Sequence, residues 1–407
     1  MLTARGRVVL SLGPVLYLVA WAAGSRALYP VAVGLVLVAV LAKAWVGLLA
    51  APMTLRRSLR GGDRVEGDDV QVELELDAHG RLVPSSITLI ERIARFGTLP
   101  VTVHRAGRRL TGRYLLRRLP RGRYAHEESH ALIEDPFGLA RTAVPLPARG
   151  SILVYPRLVE LDRTFTESGR DFRDGRRLLL RRASGFDLHS VREHQQGESL
   201  RRVHWRSTAH RGRLMVKELE DEPRDEVAIL LDAAAEAVAG RAPDSSFELQ
   251  VRAAGSLLKA HVRRGRRSVL VIGGALREER RVEAADADWR NALELLASIE
   301  PGRAASAREL VPSDGVGAAS RALELVVVTS RLSPELVDRL AHRALAGGSA
   351  ALVYVDAPSF ARTRAGPTRE PGLLRLQTLG VPVAVLRRGD DLRAALAGTA
   401  LQEAASG

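Results

Sequence analysis

The densest collection of chemically able side chains lies between Gly185 and Glu218, in the stretch GFDLHSVREHQQGESLRRVHWRSTAHRGRLMVKE. His189, His194, His204 and His210 raise the question of a metal site. Their spacings of five, ten and six residues match neither the i, i+4 pair that puts two ligands on one helical face nor a zinc-protease signature, so no metal is expected there. Ser207 or Thr208 with His204 and Glu193 would supply a nucleophile, a base and an orienting acid. No glycine elbow surrounds either hydroxyl, which argues against a hydrolase. Nucleic acid is a third ligand class. From Gly197 to Pro223 the only aromatic available for base stacking is Trp205, and the interleaved acids would repel phosphate. The residues suit pairing better. Arg192, Arg201, Arg202 and Arg206 can bind Glu193, Glu198, Glu218, Glu220, Asp221 and Glu222 through forked guanidinium–carboxylate bonds, which fix planar geometry. The segment therefore reads as a clasp, with Trp205 buried as its anchor against a neighbouring sheet and a polar ridge left for a partner with an acidic surface.

Folded elements must hold such a segment in place. At 407 residues and 46% hydrophobic, the chain can build two or three cored domains. It has no cysteine, which excludes disulfides, thiolate nucleophiles and cysteine-based metal sites. A formal charge of +14 says little about partners, because many of the arginines are scattered among alanines and leucines.

Val8–Gly24 and Ala27–Ala50 each approach the roughly 20 apolar residues that cross a hydrocarbon layer, and only Ser25 and Arg26 separate them. Residues 1–55 are thus expected to form a transmembrane α-hairpin in the lipid bilayer. Ala20–Ala22 resembles a signal-peptide cleavage site, but the second apolar run directly after it favours the hairpin. Lys43 lies close enough to the second helix's end for its stem to snorkel to the headgroups. Arg5 and Arg7 precede the first span, and Arg56, Arg57, Arg60 and Arg64 follow the second, while the turn carries only Arg26. That asymmetry predicts a multi-pass protein of the bacterial cytoplasmic membrane with both termini cytoplasmic.

Residues 56–156 change to short alternating runs, VQVELEL (Val70–Leu76), SSITLI (Ser85–Ile90), LPVTVH (Leu99–His104), LTGRYLL (Leu110–Leu116) and SILVYP (Ser151–Pro156), which predict a small β-sandwich. DPFGLA (Asp135–Ala140) reads as a tight turn with Gly138 free to take positive φ. Residues 157–224 form a basic connector and the polar segment, with Arg157–Gly185 read as mobile. Over residues 225–400, EVAILLD (Glu226–Asp232), SVLVIGG (Ser268–Gly274), ELVVVTS (Glu324–Ser330), AALVYVD (Ala350–Asp356) and PVAVLRR (Pro382–Arg388) alternate with helical patterns. Near-continuous apolar strands between helices predict a doubly wound α/β domain with a parallel sheet. Ser245 with Glu248 forms a capping box for one helix that Gly265 can end, and Ser333-Pro334-Glu335 opens another that stops at Gly347. Residues 401–407 are a tail. Asp232, at the carboxyl end of its strand, is the natural position for chemistry. AAAEA follows it, with no glycine-rich phosphate loop, and IGGAL after the next strand lacks a lysine partner, so no nucleotide or other cofactor is expected.

The hairpin, the β-module with RLPRGRY and DPFGL, the strand ILVYP, and the long polar motif running into VAILLD together resemble the bacterial family called domain of unknown function 58 (DUF58). The family pattern falls on Gly185, Arg192, Glu193, Gly197, Arg201 or Arg202, Trp205, Ala209, Leu214, Val216, Lys217 and Glu218, with His204 and Arg206 inside the same segment. Glu198, His194 and His210 depart from it. The resemblance implies a last domain like the von Willebrand factor type A module, whose metal site needs Asp-x-Ser-x-Ser. Asp232, Ala234 and Glu236 stand there instead, a degenerate set without the hydroxyls Mg²⁺ would take. It also implies a MoxR-like AAA+ ATPase as partner. The expected function is a membrane-anchored, non-enzymatic adaptor in the assembly or maturation of a protein complex. A membrane-tethered cell-envelope enzyme and a nucleic-acid-binding membrane protein are the alternatives.

Overall fold

A computed structural model describes residues 1–80, 82–84, 86–107, 109–147, 150–167, 190–193, 205–218, 227–273, 277–283, 286–303, 311, 322–361 and 370–398. The chain forms two compact units, Met1–Tyr155 and Pro156–Gly407.

The first unit begins with two helices, α1 (Ala4–Ala22) and α2 (Leu28–Leu49), that pack against each other. Small residues let them approach. Ala20, Ala32 and Ala39 are buried, and a Cβ added to Gly13 would lie 2.4 Å from a Val36 methyl. Tyr17 and Tyr29 meet edge-on with ring centroids 5.0 Å apart. Among the described helices, α2 is long and apolar enough to cross a membrane, with 22 residues and a mean hydropathy of 2.3. α1 carries Arg5 and Arg7 in its first turn and falls short of that measure.

Strands β1 (Met53–Leu59), β2 (Val70–Ala78), β3 (Ser86–Ile93), β4 (Gly97–Ala106) and β5 (Arg109–Leu116) follow. Next come β6 (Gly122–Ala125), β7 (Ser129–Glu134), β8 (Arg141–Leu146) and β9 (Ser151–Val154). Seven of them make an antiparallel sheet in the order β1-β2-β5-β4-β3-β7-β8, and β6 pairs with β9 in a two-stranded ribbon. The alternation read in the sequence sends Val70, Val72, Leu74 and Leu76 of β2 inward, where they share one core with Leu89 and Val103 of the sheet and Tyr124, Ile152 and Val154 of the ribbon. The five expected strands are present. Four others, β1, β6, β7 and β8, lie outside the five alternating runs. In β1 the arginines of MTLRRSL mask the period, because one of them points inward.

That residue is Arg57. Its Nε donates to Glu91 Oε1 at 3.0 Å, and its Nη2 lies 2.9 Å from the same oxygen and 3.3 Å from the buried Ser129 hydroxyl. His126 Nδ1 stands 3.4 Å from the other Glu91 oxygen. Glu91 is fully buried. Burial alone would raise its pKa, but the bond to His126 and the Arg57 charge outweigh it and hold the carboxyl below its ordinary range.

In the second unit β10 (Ser190–Glu193) pairs antiparallel with β11 (Met215–Glu218), with α3 (Trp205–Arg211) between them in sequence. The main sheet contains β12 (Val227–Asp232), β15 (Ser268–Gly273), β16 (Glu278–Val282), β17 (Glu324–Thr329), β18 (Ser349–Val355) and β19 (Val383–Leu386). Its order is β16-β15-β12-β17-β18-β19, with every pair parallel except the edge strand β16. A short hairpin, β13 (Gly240–Arg241) and β14 (Asp244–Ser245), leads into helix α4. Helices α4 (Ser246–Arg263), α5 (Asp286–Ser298) and α8 (Leu392–Ala397) cover one face; α6 (Pro334–Leu345) and α7 (Pro371–Thr378) cover the other. Both expected caps form: the Glu248 N–H donates to Ser245 Oγ at 3.3 Å and the Leu336 N–H to Ser333 Oγ at 3.2 Å.

The start of the stretch read as a mobile connector is bound to this unit. Leu161 and Phe165 are buried beside α4, the Val159 N–H donates to Ser256 Oγ at 3.0 Å, and Glu160 pairs with Lys259 and Arg263 at 3.2 and 2.7 Å. The basic composition hid two apolar anchors spaced to face the helix. The rest of Arg157–Gly185, from residue 168, lies outside the described residues.

Removing one member of the buried ion cluster leaves the other uncompensated. Arg57→Ala is expected to destabilise the detergent-solubilised protein by about 3–5 kcal/mol in urea denaturation. A carboxyl held below its ordinary pKa stabilises the fold above the unfolded value of 4.5, and that stabilisation is lost as pH falls through the lower folded value. The stability gap between the parent and Glu91→Gln should therefore close on acidification through that range.

Candidate functional site

The second unit offers two places for function, the carboxyl edge of its parallel sheet and the motif segment before it. β12 is the point from which the chain runs first to β15 on one side and then to β17 on the other, so the crevice at its carboxyl end is where open α/β sheets bind ligands. Asp232 ends β12 there and is buried. Its Oδ2 accepts a 2.8 Å bond from the Thr329 hydroxyl at the end of β17, and its Oδ1 accepts from the Ala234 N–H at 3.2 Å. Thr329 Oγ1 also accepts from the Arg331 N–H at 2.9 Å. Burial pushes the Asp232 carboxyl up in pKa; the Thr329 bond, the Arg331 charge and the Ala234 N–H pull against this without cancelling it.

The loop after β12 is closed by backbone bonds. The Ala235 N–H donates to Gly302 O and the Gly302 N–H to Ala233 O, both at 2.8 Å. Asp232, Ala234 and Glu236 consequently sit in unlike settings, although the Glu236 charge still reaches Asp232 and helps to raise its pKa. The Ala234 methyl is buried, whereas Glu236 lies exposed on a 3₁₀ turn spanning Ala235–Ala237. Thr329 is a partner that no motif in the sequence names. Its signal was a hydroxyl at the carboxyl end of a neighbouring apolar strand.

Farther along the edge, Gln250 of α4 donates to Ser330 Oγ at 3.0 Å, and Ser330 donates to Ala237 O at 2.9 Å. Asp356, after β18, lies 3.5 Å from Arg387. Arg388 forks onto Asp244 of the β13–β14 hairpin, tying that hairpin to the end of β19. Gln250 Oε1 and Asp356 Oδ1 are buried without a hydrogen-bond partner among the described residues. No group of three or more His, Asp or Glu able to hold a metal occurs among the described residues.

In the motif segment, β10 and β11 bring Arg192 opposite Val216 and Glu193 opposite Met215, with Val191 opposite Lys217 and Ser190 opposite Glu218. Helix α3 carries Trp205, Arg206 and Ala209. It is joined to β11 by the Thr208 hydroxyl, which accepts from the Met215 N–H at 3.0 Å. Met215 is buried. Thr208, considered above as a nucleophile, thus serves a local turn. Trp205 is 67% exposed, which corrects the expectation that it anchors the segment in a core. α3 has seven residues and places the indole on its outward side, and periodicity over so short a helix could not show which side that is. Ala209 and His210 are exposed too. Gly185, Gly197, Arg201, Arg202 and His204 lie outside the described residues.

Residues 190–353 match the family described as protein of unknown function DUF58, the family that the motif resembles. The matched stretch runs from β10 to β18. A curated relative, the uncharacterized protein YeaD of Bacillus subtilis (strain 168), is 24% identical over 249 residues. The match covers 61% of this chain and 59% of that relative, less than two thirds of its length. Among solved structures, the conserved hypothetical protein BatB from Bacteroides thetaiotaomicron shares 16% identity with a TM-score of 0.31, over 45% of this chain and 99% of that one. Cwp6 from Clostridium difficile shares 8% identity with a TM-score of 0.19, over 81% of this chain and 53% of that one. At such TM-scores these likenesses carry no weight for fold or function.

Because Thr329 supplies a hydrogen bond to a buried carboxylate, Thr329→Val should lower the unfolding free energy by about 1–3 kcal/mol, the cost of leaving a buried acceptor short of a donor. Urea denaturation beside the parent measures it. An unchanged midpoint would show that Asp232 does not depend on this bond.

Proposed function

We propose that this chain is a membrane-anchored, non-enzymatic adaptor. α1 and α2 cross the cytoplasmic membrane as a hairpin with both termini in the cytoplasm, and the α/β unit, of the von Willebrand factor type A kind, engages a MoxR-like AAA+ ATPase during assembly or maturation of a protein complex. The length and hydropathy of α2 and the arginines flanking the helix pair support the anchoring. The family resemblance supports the ATPase as partner.

The observation that carries the adaptor reading is the exposed Trp205 on α3. An exposed tryptophan offers large apolar area at little entropy cost and is the residue type most enriched among binding hot spots. It sits in the stretch with the family's densest pattern, beside a turn fixed by Thr208 and Met215. The carboxyl edge of the sheet contrasts with it. There both oxygens of Asp232 are engaged by the chain's own donors, an arrangement that suits a structural node more than a general base.

Two measurements test the reading. With a purified MoxR-like ATPase from the same source and the full chain in detergent, Trp205→Ala should weaken binding by about tenfold or more, as loss of a hot spot does, while the melting temperature stays that of the parent. Equal binding by parent and variant would remove Trp205 from the interface, and a large drop in melting temperature would return it to a core. A reporter fused after Gly407 should be active on the cytoplasmic side alone; periplasmic activity would overturn the topology.

A further inference from the structure

In the first unit the Asp135–Ala140 turn between β7 and β8 meets the helix pair. The Thr3 N–H donates to Leu139 O at 2.9 Å, the Thr3 hydroxyl to Gly138 O at 2.7 Å, and the Arg141 N–H to Met1 O at 2.9 Å. A Cβ on Gly6 would lie 2.0 Å from Leu139 O, so only glycine permits this approach. Leu139 and Ala140 are buried with Ala42 and Val46 of α2. The turn itself is rigid. The buried Asp135 carboxylate accepts from the N–H groups of Phe137 and Ala140, the Gly138 N–H donates back to Asp135 O at 3.0 Å, and Gly138 takes φ +67°.

This rigid turn holds Phe137 out, 74% exposed, in a molecule with only seven phenylalanines. Beside the ring runs an apolar groove of about 450 Å³, walled by Val38, Leu41, Trp45 and Leu48 of α2 on one side and Pro136 and Phe137 on the other. The groove is continuous with the outward face of α2, where Leu37, Val40, Leu41 and Leu48 are exposed. At 1.5 Å per residue Trp45 lies about 6 Å from the end of α2, which puts the groove within the last turns of that helix. Arg5, Arg7 and Arg141 are exposed around the same end, with Glu134 opposite Arg141 in the β7–β8 register.

We infer that Pro136 and Phe137 form a wedge that enters the bilayer interface beside α2, with a phospholipid acyl chain filling the groove and the neighbouring arginines meeting anionic headgroups. The inference rests on the reading of α2 as a membrane span. Given that span, the end of the groove beside Trp45 and Leu48, about one turn from the end of α2, lies at the depth where aromatic side chains prefer to sit, and its Val38 end reaches into the hydrocarbon layer. Trp45 already occupies that level on the helix. The arginines supply the attraction to anionic lipid that basic clusters give at a membrane surface. The wedge would fix the depth and tilt of the β-unit against the bilayer, beyond what a hairpin alone can do.

Because the native chain has no cysteine, single-cysteine variants can be labelled cleanly. Phe137→Cys, Val40→Cys in α2 and Leu115→Cys on the exposed side of β5 would each carry an environment-sensitive fluorophore. The full chain would be reconstituted into vesicles of phosphatidylcholine and phosphatidylglycerol and challenged with a shallow nitroxide lipid or with aqueous iodide. The expected result is quenching of the labels at 40 and 137 by the lipid, with iodide several-fold less effective at 137 than at 115. A lipid-quenched label at 40 beside an iodide-accessible label at 137 would overturn the wedge and leave the span standing. Iodide access at both 40 and 137 would overturn the two together. A label at 137 shielded from both quenchers would mean that protein covers it, and the lipid assignment would fail.

Discussion

A strand buried on both faces has no side that water can reach, and the second unit is organised around that constraint. All six residues of β12 are buried; Val227, Ile229 and Leu231 point to the α4 side and Ala228 and Leu230 to the α6 side. Helices cover both faces, and the strands beside β12 are parallel to it and reached by crossovers. The same constraint governs the end of the strand. Asp232 emerges where the sheet stops but the protein does not, so its carboxylate takes donors from the next strand and from its own loop, Thr329 and the Ala234 N–H.

The first unit meets the opposite problem, a charge in the middle of a β-core. Glu91 on β3 is enclosed with Arg57 from β1 and His126 after β6. The cluster ties β1 and β3 to the segment after β6, and a pairing that separated its members would leave a buried charge uncompensated. The Asp135 turn applies the same logic on a smaller scale. One buried carboxylate satisfies two N–H groups and so fixes both the direction of Phe137 and the carbonyls that receive Thr3.

The two candidate loci of the second unit differ in how far their valences are used. At the sheet edge Asp232 is held by the chain's own donors, although Gln250 and Asp356 each keep one buried oxygen without a hydrogen-bond partner among the described residues. In the motif segment the backbone of α3 and β11 is closed by Thr208, while the largest side chain of the segment faces out. The recognition role proposed above rests on this contrast.

Much of this architecture is legible in the linear chain. Two apolar runs of helix length, alternating runs from Val70 to Leu116 and five continuous apolar runs after Val227 declare α, β and α/β regions, because solvent exclusion acts on every residue of an element and leaves a period behind. The caps at Ser245 and Ser333 are equally local, as is the Gly138 turn. The motif's resemblance to a known family is likewise legible without coordinates. Tertiary structure alone decided what depends on pairs distant in sequence. That Arg57 points inward is determined by Glu91, which is 34 residues away, and the strand carrying it was hidden by its own charges. That Thr329 completes Asp232, 97 residues earlier, follows from strand order, which no local pattern encodes. The outward face of Trp205 is of the same kind. A helix of seven residues has too few turns to mark its buried side, so the environment of that indole is set by what packs around the helix and not by the sequence within it.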